Sequence, residues 1–401
     1  MCGMHRRGSG LLGDMIRQAD LVLYGLCSLA TLYGMLLILS ATHTVYHGTL
    51  RYVFVQGVGY ALGTFFYFVL SSLDVVELSK KWKWLFGFNA GLILLLLTPF
   101  GMTRNGNRAW LGVNDLGRKL GVGVLENFPF YVQPAEIVKI TFIILLARQL
   151  VWLREERDLK RFVNVVQPTA HVLFMFALYY VISRDAGSGL VYLFVFVCMA
   201  FAAGLAARWL ILGLGGAAGA IAAAWHFNLL RGDWYKRIMV VLDHDYDPLG
   251  KGWQQTRGIT ALGSGGLTGM GLFHGTQTQS PYRSSLPERQ TDYIFCVCGE
   301  ELGFIGCALV LLLLLAIVVR CFIVARDANT PMESLVCVGM AGTLIFQTVA
   351  NIGMCLFLLP VIGLTLPFFS YGGTSVMTLF AAMGVVSGIK KRSRPEWLMN
   401  T

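Results

Sequence analysis

Charge is scarce in this sequence. Of 401 residues, 32 are Lys or Arg and 22 are Asp or Glu, 13% together, where a soluble domain carries about a quarter. An ordinary water-soluble globule of this length is therefore excluded. Apolar residues fill the deficit: 56% of the chain is hydrophobic and mean hydropathy is +0.63. A cleavable leader is not expected either, because the apolar run 21–40 behind Arg6, Arg7 and Arg17 is long enough to span and lacks a clear cleavage pattern. Metal and nucleotide motifs are incomplete. Cys296-Val297-Cys298 lacks the second pair that a zinc site needs. Asp243-His244-Asp245-Tyr246-Asp247 starts like a calcium loop, but Pro248 replaces the required Gly and Gln254 stands at the bidentate Glu position. The glycine run 263–271 has no Lys-Ser/Thr ending and follows no strand, so tight packing of a re-entrant loop is its reading. Cys27, Cys198, Cys307, Cys321, Cys337 and Cys355 fall in apolar helices, where thiols serve as small hydrophobes.

What the sequence does have is a series of apolar runs of bilayer length. They predict an all-α polytopic membrane protein, a single integral membrane domain over 1–401, with about ten transmembrane helices near 20–41, 51–72, 82–99, 132–150, 166–182, 188–206, 208–226, 299–323, 333–358 and 368–389. Lys and Arg cluster in alternate connections, among them Lys80, Lys81, Lys83, Arg154, Arg157, Lys160, Arg161, Arg326 and Lys390 to Arg392. By the positive-inside rule both termini are cytoplasmic. Most of the formal charge of +10 is thereby an orientation signal, and no nucleic-acid partner is needed to explain it. Two extracytoplasmic loops result, at 100–132 and, between helices seven and eight, at 227–298. Both keep aromatics (Trp110, Phe128, Phe130, Tyr131; Trp234, Tyr235, Trp253, Tyr282), which argues against disorder. Residues 234–242 predict a short amphipathic helix lying in the interface.

The chemistry is expected on that outer side. Thr291 is placed to cap a helix starting at Asp292, and Asp292, Cys296, Gly299, Gly303 and Gly306 then share a small-residue face open to close approach. Asp292 sits where membrane meets water, as a helix-end anchor or as a chemical group. Glu136 and Lys139, at i and i+3 in the outer half of the fourth helix, can pair; ionisable groups inside a membrane are functional candidates. Asp185 stands in a tight turn and can cap helix six. Arg108 lies beside Trp110, as an anchor or a phosphate ligand. The stretch 359–375 holds Pro360, Pro367, Gly363, Gly372 and Gly373, a broken helix of the kind that survives only when buried in protein or lining a cavity. These residues together describe an outward-facing polar cavity, consistent with a transporter or with an enzyme acting on a lipid headgroup.

At these positions the chain resembles the SEDS family, the RodA, FtsW and SpoVE proteins. The resemblance spans nearly the whole chain. Its most specific parts are Leu286-Pro287-Glu288 with Thr291-Asp292-Tyr293-Ile294-Phe295, Gly299-Glu300-Glu301-Leu302-Gly303, and Gly363-Leu364-Thr365-Leu366-Pro367 with Ser370-Tyr371-Gly372-Gly373. Gln133-Pro134-Ala135-Glu136 with Lys139, Asp247-Pro248 with Gly250, and the 263–271 glycines add support. The chain departs from the family pattern at Gln290, Arg184 and Arg108-Ala109-Trp110. The resemblance implies ten transmembrane helices and a peptidoglycan glycosyltransferase of the cytoplasmic (inner) membrane. Such an enzyme polymerises lipid II, an undecaprenyl-pyrophosphate-linked disaccharide peptide, on the outer face for cell elongation, division or sporulation. It implies a class B penicillin-binding protein as partner, besides the membrane lipids. Asp292 matches the residue held to be essential, and Glu136, Lys139, Arg108, Asp185 and Glu288 are candidate substrate contacts. Lys139 and Arg108, or a divalent cation (Mg²⁺ or Mn²⁺), would hold the leaving pyrophosphate. The alternatives are a lipid II flippase and a non-enzymatic scaffold of the wall machinery.

Overall fold

A computed structural model of the chain describes residues 19–44, 50–104, 106–114, 117–118, 121, 131–157, 161–227, 233–243, 246–247, 250–282 and 284–393. Arg6, Arg7, Arg17, Phe128, Phe130, Lys160, His244, Asp245 and Pro248 lie outside the described residues. Thirteen α-helices are seen in the described residues: α1 Leu21–His43, α2 Arg51–Leu70, α3 Val75–Lys80, α4 Trp82–Leu94, α5 Pro134–Glu156, α6 Phe162–Ser183, α7 Ala186–Ala202, α8 Ala207–His226, α9 Asp233–Leu242, α10 Lys251–Ser264, α11 Ile294–Asp327, α12 Pro331–Cys355 and α13 Gly373–Ser393. Ten of them overlie the ten expected spans. Seven, α1, α2, α6, α8, α11, α12 and α13, are long and apolar enough to cross a membrane. Helix α4, extended by the 3₁₀ turn Leu95–Leu97, and α7 are apolar but shorter, and α5 has the length but carries Glu136, Lys139 and Arg148.

Local chemistry accounts for most helix ends. Asp20, Asp74 and Thr330 each accept a backbone N–H of the first turn of α1, α3 and α12, and Pro331 opens α12 at a position where its missing N–H costs nothing. Packing depth then varies strongly. Helix α13 is the most enclosed of the apolar helices, and α8 has no buried residue. Helices α2 and α13 run very close together: a Cβ on Gly384 would lie 2.5 Å from the Tyr67 carbonyl oxygen, so only glycine permits that approach. At the end of the bundle bearing most Lys and Arg, buried Asp20 pairs with Arg320 and Lys390, each at 2.9 Å, and Arg392 pairs with Glu333 at 3.0 Å. These pairs tie α1, α11, α12 and α13 into one body.

Three expectations change. The loop 100–132 contains a small antiparallel hairpin, β1 Gly101–Arg104 with β2 Asn107–Leu111, and Leu111 bridges onward to Val132. Gly106, at φ 83°, makes the turn. Helix α11 starts at Ile294, not Asp292, and Thr291 does not cap it: the Thr291 hydroxyl donates to the Glu288 carbonyl instead. Nor is the face from Asp292 to Gly306 continuous, because Gly303 has φ 65° and ψ −162° and interrupts α11. Tertiary contacts of the preceding loop impose both changes, as shown below. The amphipathic helix is observed as α9. The break expected over 359–375 is observed over 356–372, so α12 ends at Cys355 rather than 358 and α13 begins at Gly373 rather than 368.

Candidate active site

Asp292 lies in a turn, half-buried, just before α11. Its backbone is held from distant parts of the chain. The Asn351 side-chain amide of α12 donates to the Asp292 carbonyl at 2.9 Å and to the Leu364 carbonyl at 2.8 Å. The Ser370 hydroxyl donates to the Thr291 carbonyl at 2.6 Å, and the Tyr371 N–H to the Gln290 carbonyl at 2.9 Å. Gln56 of α2 completes the frame, donating to the Ser370 carbonyl at 3.1 Å and accepting from the Gly372 N–H at 2.9 Å. The Leu364 and Ser370 carbonyls and the Tyr371 and Gly372 N–H groups, all outside helical pairing, find partners across this junction, as buried irregular backbone requires. The Asp292 carboxylate faces Gly363, where a Cβ would come within 3.9 Å of Oδ2.

A second acidic group reaches the same segment. Asp185 caps α7, accepting from the Ser188 N–H at 3.2 Å and its hydroxyl at 2.7 Å, and it also accepts from Tyr179 at 3.2 Å and Gln133 at 3.4 Å. Two residues on, a Cβ at Gly187 would overlap the Ile362 carbonyl oxygen. The start of α7 behind Asp185 thus packs at Gly187 on Ile362, next to the Gly363 that faces Asp292. Gln133 precedes α5, whose Glu136 and Lys139 pair at 2.7 Å with side chains only 7% and 5% exposed. Glu136 lies within electrostatic range of Asp185. A void of about 20 Å³ borders Glu136, Lys139, Thr343 and Thr378, room for about one water. The expected ion pair and the expected Asp185 cap are both present.

The two remaining candidates sit differently. Glu288 is exposed, with φ 48°, and its carboxylate accepts from the Thr291 hydroxyl at 3.3 Å. Arg108 is engaged by the end of the 3₁₀ turn, donating to the Leu97 carbonyl at 3.4 Å and the Thr98 carbonyl at 3.0 Å, and its Nε is buried without a hydrogen-bond partner. The hairpin that carries Arg108 reaches the site through Tyr131. That ring lies 3.9 Å from the Arg104 guanidinium and 5.0 Å from Trp110, and the Tyr131 carbonyl accepts from Thr374 at 3.0 Å.

Glu300 and Glu301, at the centre of the Gly299–Gly303 motif, organise the large loop. Both are fully buried. Glu300 accepts four bonds: from the Thr276 hydroxyl at 3.1 Å, the Gln277 N–H at 2.6 Å, and the Thr278 N–H and hydroxyl at 2.8 and 2.6 Å. Glu301 accepts from Gln279 at 2.7 Å and Ser40 at 2.5 Å. Buried Arg289 closes the other side, donating to the carbonyls of Thr278, Ser280, Tyr282 and Leu286. Adjacent carboxylates inside an apolar helix were the available signal. The glycine run also packs here. The N–H groups of Met270 and Gly271 donate to the Glu300 and Glu301 carbonyls at 2.9 Å, and Phe304 and Ile305 donate back to Gly266 and Leu267. This exchange pulls α11 open at Gly303. The tight loop expected over 263–271 is thus observed, and it overrides the uninterrupted helix. Gly269 has φ 81°, and a Cβ there would overlap the Glu301 carbonyl. Gly269→Ala is expected to cost about 1–3 kcal/mol through backbone strain alone. A clearly lowered melting temperature in detergent checks this, and an unchanged one would contradict it.

The family model for the cell cycle proteins FtsW, RodA and SpoVE matches residues 20–395. The chain belongs to the FtsW/RodA/SpoVE family. It is 36% identical over 306 residues to stage V sporulation protein E of Bacillus subtilis (strain 168), covering 76% of each chain. It is 32% identical over 305 residues to peptidoglycan glycosyltransferase MrdB of Escherichia coli (strain K12), covering 74% of this chain and 75% of that one. Among solved structures, a chain from a peptidoglycan synthase complex, described for its coordination of polymerization and crosslinking, superposes with a TM-score of 0.73 at 27% identity, over 94% of this chain and 98% of that chain. Like other members of the family, the chain is a multi-pass membrane protein.

Proposed function

We infer that this FtsW/RodA/SpoVE family member is a peptidoglycan glycosyltransferase that polymerises lipid II on the outer face of the cytoplasmic membrane. The observation that carries the reading is the fixed, half-buried Asp292 at the junction of the large loop with α11. A sugar hydroxyl is a poor nucleophile until its proton is removed. In the reaction the 4-hydroxyl oxygen of the acceptor GlcNAc bonds to the anomeric carbon of the donor MurNAc. The bond from that carbon to the pyrophosphate oxygen breaks, and the hydroxyl proton passes to Asp292. Undecaprenyl pyrophosphate leaves with the electron pair. One base suffices for inversion of an α-linked donor into a β-linked product. Asp185, near the irregular segment, and the Glu136–Lys139 pair behind it on α5 are assigned to sugar and phosphate contacts, with Glu288 at the exposed rim.

Charge on the departing pyrophosphate is assigned to Lys139 and Arg108. A divalent cation would need ligands from the pyrophosphate itself, as Mg²⁺ commonly takes them, since among the described residues no three His, Cys, Asp or Glu side chains converge. A class B penicillin-binding protein is the assigned partner, supported by the solved synthase complex in which polymerization and crosslinking are coordinated. The test is polymerisation of labelled lipid II by the purified chain with that partner, resolved on a gel. A ladder of glycan chains is expected. A folded, partner-bound preparation that moves lipid II across vesicles and makes no polymer would establish the transporter instead.

Orientation follows from the Lys/Arg asymmetry: both termini inside, 227–298 outside. Thr278 is buried against Glu300 and unsuited to labelling, whereas Tyr282 is 72% exposed. With the nine cysteines replaced, Tyr282→Cys is expected to react with an impermeant maleimide on intact cells. Reaction only after permeabilisation would invert the topology.

A further inference from the structure

A second cavity lies away from Asp292, between α4, α5 and α6. Its volume is about 540 Å³, within the range of about 300–1,000 Å³ usual for small-molecule sites. Phe86, Leu145 and Phe174 make an apolar wall, and exposed Trp82 and Trp152 flank its open side. Three features distinguish it from a simple packing defect. Arg148 lines it, half-buried, and among the described residues it makes no hydrogen bond or ion pair. His171 also lines it: its Nδ1 is 3.0 Å from the Gln149 amide oxygen, and its Nε2 is buried with no partner. Cations stand at the mouth, with Lys83 over the Trp82 ring at 5.7 Å and Arg157 over the Trp152 ring at 5.2 Å. Glu155 and Glu156 follow on α5, but no carboxylate lines the cavity.

An apolar wall, a half-buried guanidinium with no partner among the described residues and an imidazole nitrogen wanting one partner describe an amphiphile with an anionic, hydroxyl-bearing head. We propose that this groove is a binding site for an anionic phospholipid of the cytoplasmic leaflet, its phosphate on Arg148, a headgroup hydroxyl donating to His171 Nε2, and an acyl chain along Phe86, Leu145 and Phe174. Basic pockets between transmembrane helices on the cytoplasmic side recognise anionic lipid heads by this chemistry. The leaflet rests on the orientation argued above. The headgroup preference does not, so the two fail separately.

The experiment is native mass spectrometry of the full chain titrated with phosphatidylglycerol or phosphatidylcholine. Both lipids carry the phosphate, but phosphatidylcholine adds a choline cation beside Arg148 and offers no hydroxyl to His171, so phosphatidylglycerol is expected to bind about tenfold tighter. Arg148→Gln is expected to abolish that preference and Arg148→Lys to keep part of it, each checked for an unchanged melting curve in lipid-free detergent. Should Arg148→Gln not fold, His171→Phe, which removes the unpartnered nitrogen, is expected to weaken phosphatidylglycerol binding alone. Equal binding of the two lipids, a preference that survives Arg148→Gln, or stoichiometric displacement by undecaprenyl phosphate would each overturn the proposal.

Discussion

Asp292→Asn is expected to lower glycan polymerisation by roughly two to four orders of magnitude, the span of lost general-base catalysis. The substitution keeps the shape of the side chain and removes its capacity to take a proton. Folding should survive, because the Asp292 carbonyl is held by Asn351 and the neighbouring Thr291 and Gln290 carbonyls by Ser370 and Tyr371, backbone contacts that a nearly isosteric Asn leaves in place. The contrasting view is a helix-end anchor, although the N-cap position of α11 is held by Tyr293, not Asp292. An anchor would in any case tolerate Asn, which caps as well as Asp. Melting temperature and partner binding measured on the same preparation separate the two. A well-folded, partner-bound Asp292→Asn protein that makes chains at near wild-type rate would end the catalytic assignment.

The second large effect is expected at the Glu136–Lys139 pair. Removing one member strands the other at a site with side-chain exposures of 5% and 7%, which costs about 3–5 kcal/mol for a buried pair. Lys139→Met and Glu136→Gln should each lower thermal stability and polymerisation together. The exchange Glu136→Lys with Lys139→Glu should recover part of the stability, because the residues stay one helical turn apart on α5. Activity then discriminates. If it returns with stability, the pair works by holding α5 against α12 and α13. If stability returns and activity does not, the sign of charge at each position matters to substrate. Single variants with wild-type stability and activity would remove the pair from both roles.

Both predictions concern residues visible in the sequence, and the reason is locality. Glu136 and Lys139 are three apart on one helix, and Asp185 stands directly before the turn it caps. Such relations are set by helical geometry and hold in any tertiary context. The same is true of the ten helical stretches, because each depends only on its own run of apolar residues. What the sequence by itself determined is therefore the all-helical, membrane-spanning class of the chain, the segregation of Lys and Arg, the buried pair and the capped turn.

The surroundings of Asp292 were decided elsewhere. Asn351 and Ser370, which frame it, are 59 and 79 residues from their acceptors, and no periodicity brings them together. The start of α11 at Ile294 and its break at Gly303 follow from hydrogen bonds to loops at 266–271 and 288, which compete with helix continuation and win because buried backbone groups must be paired. Glu300 and Glu301 show the same principle from the side-chain end. Their type and position were legible, but the donors at Thr276, Gln277, Thr278, Gln279 and Ser40 arrive only when the large loop folds back over α11 and α1. Hydrogen bonding across long separations depends on where the chain returns, and only the tertiary structure supplies that.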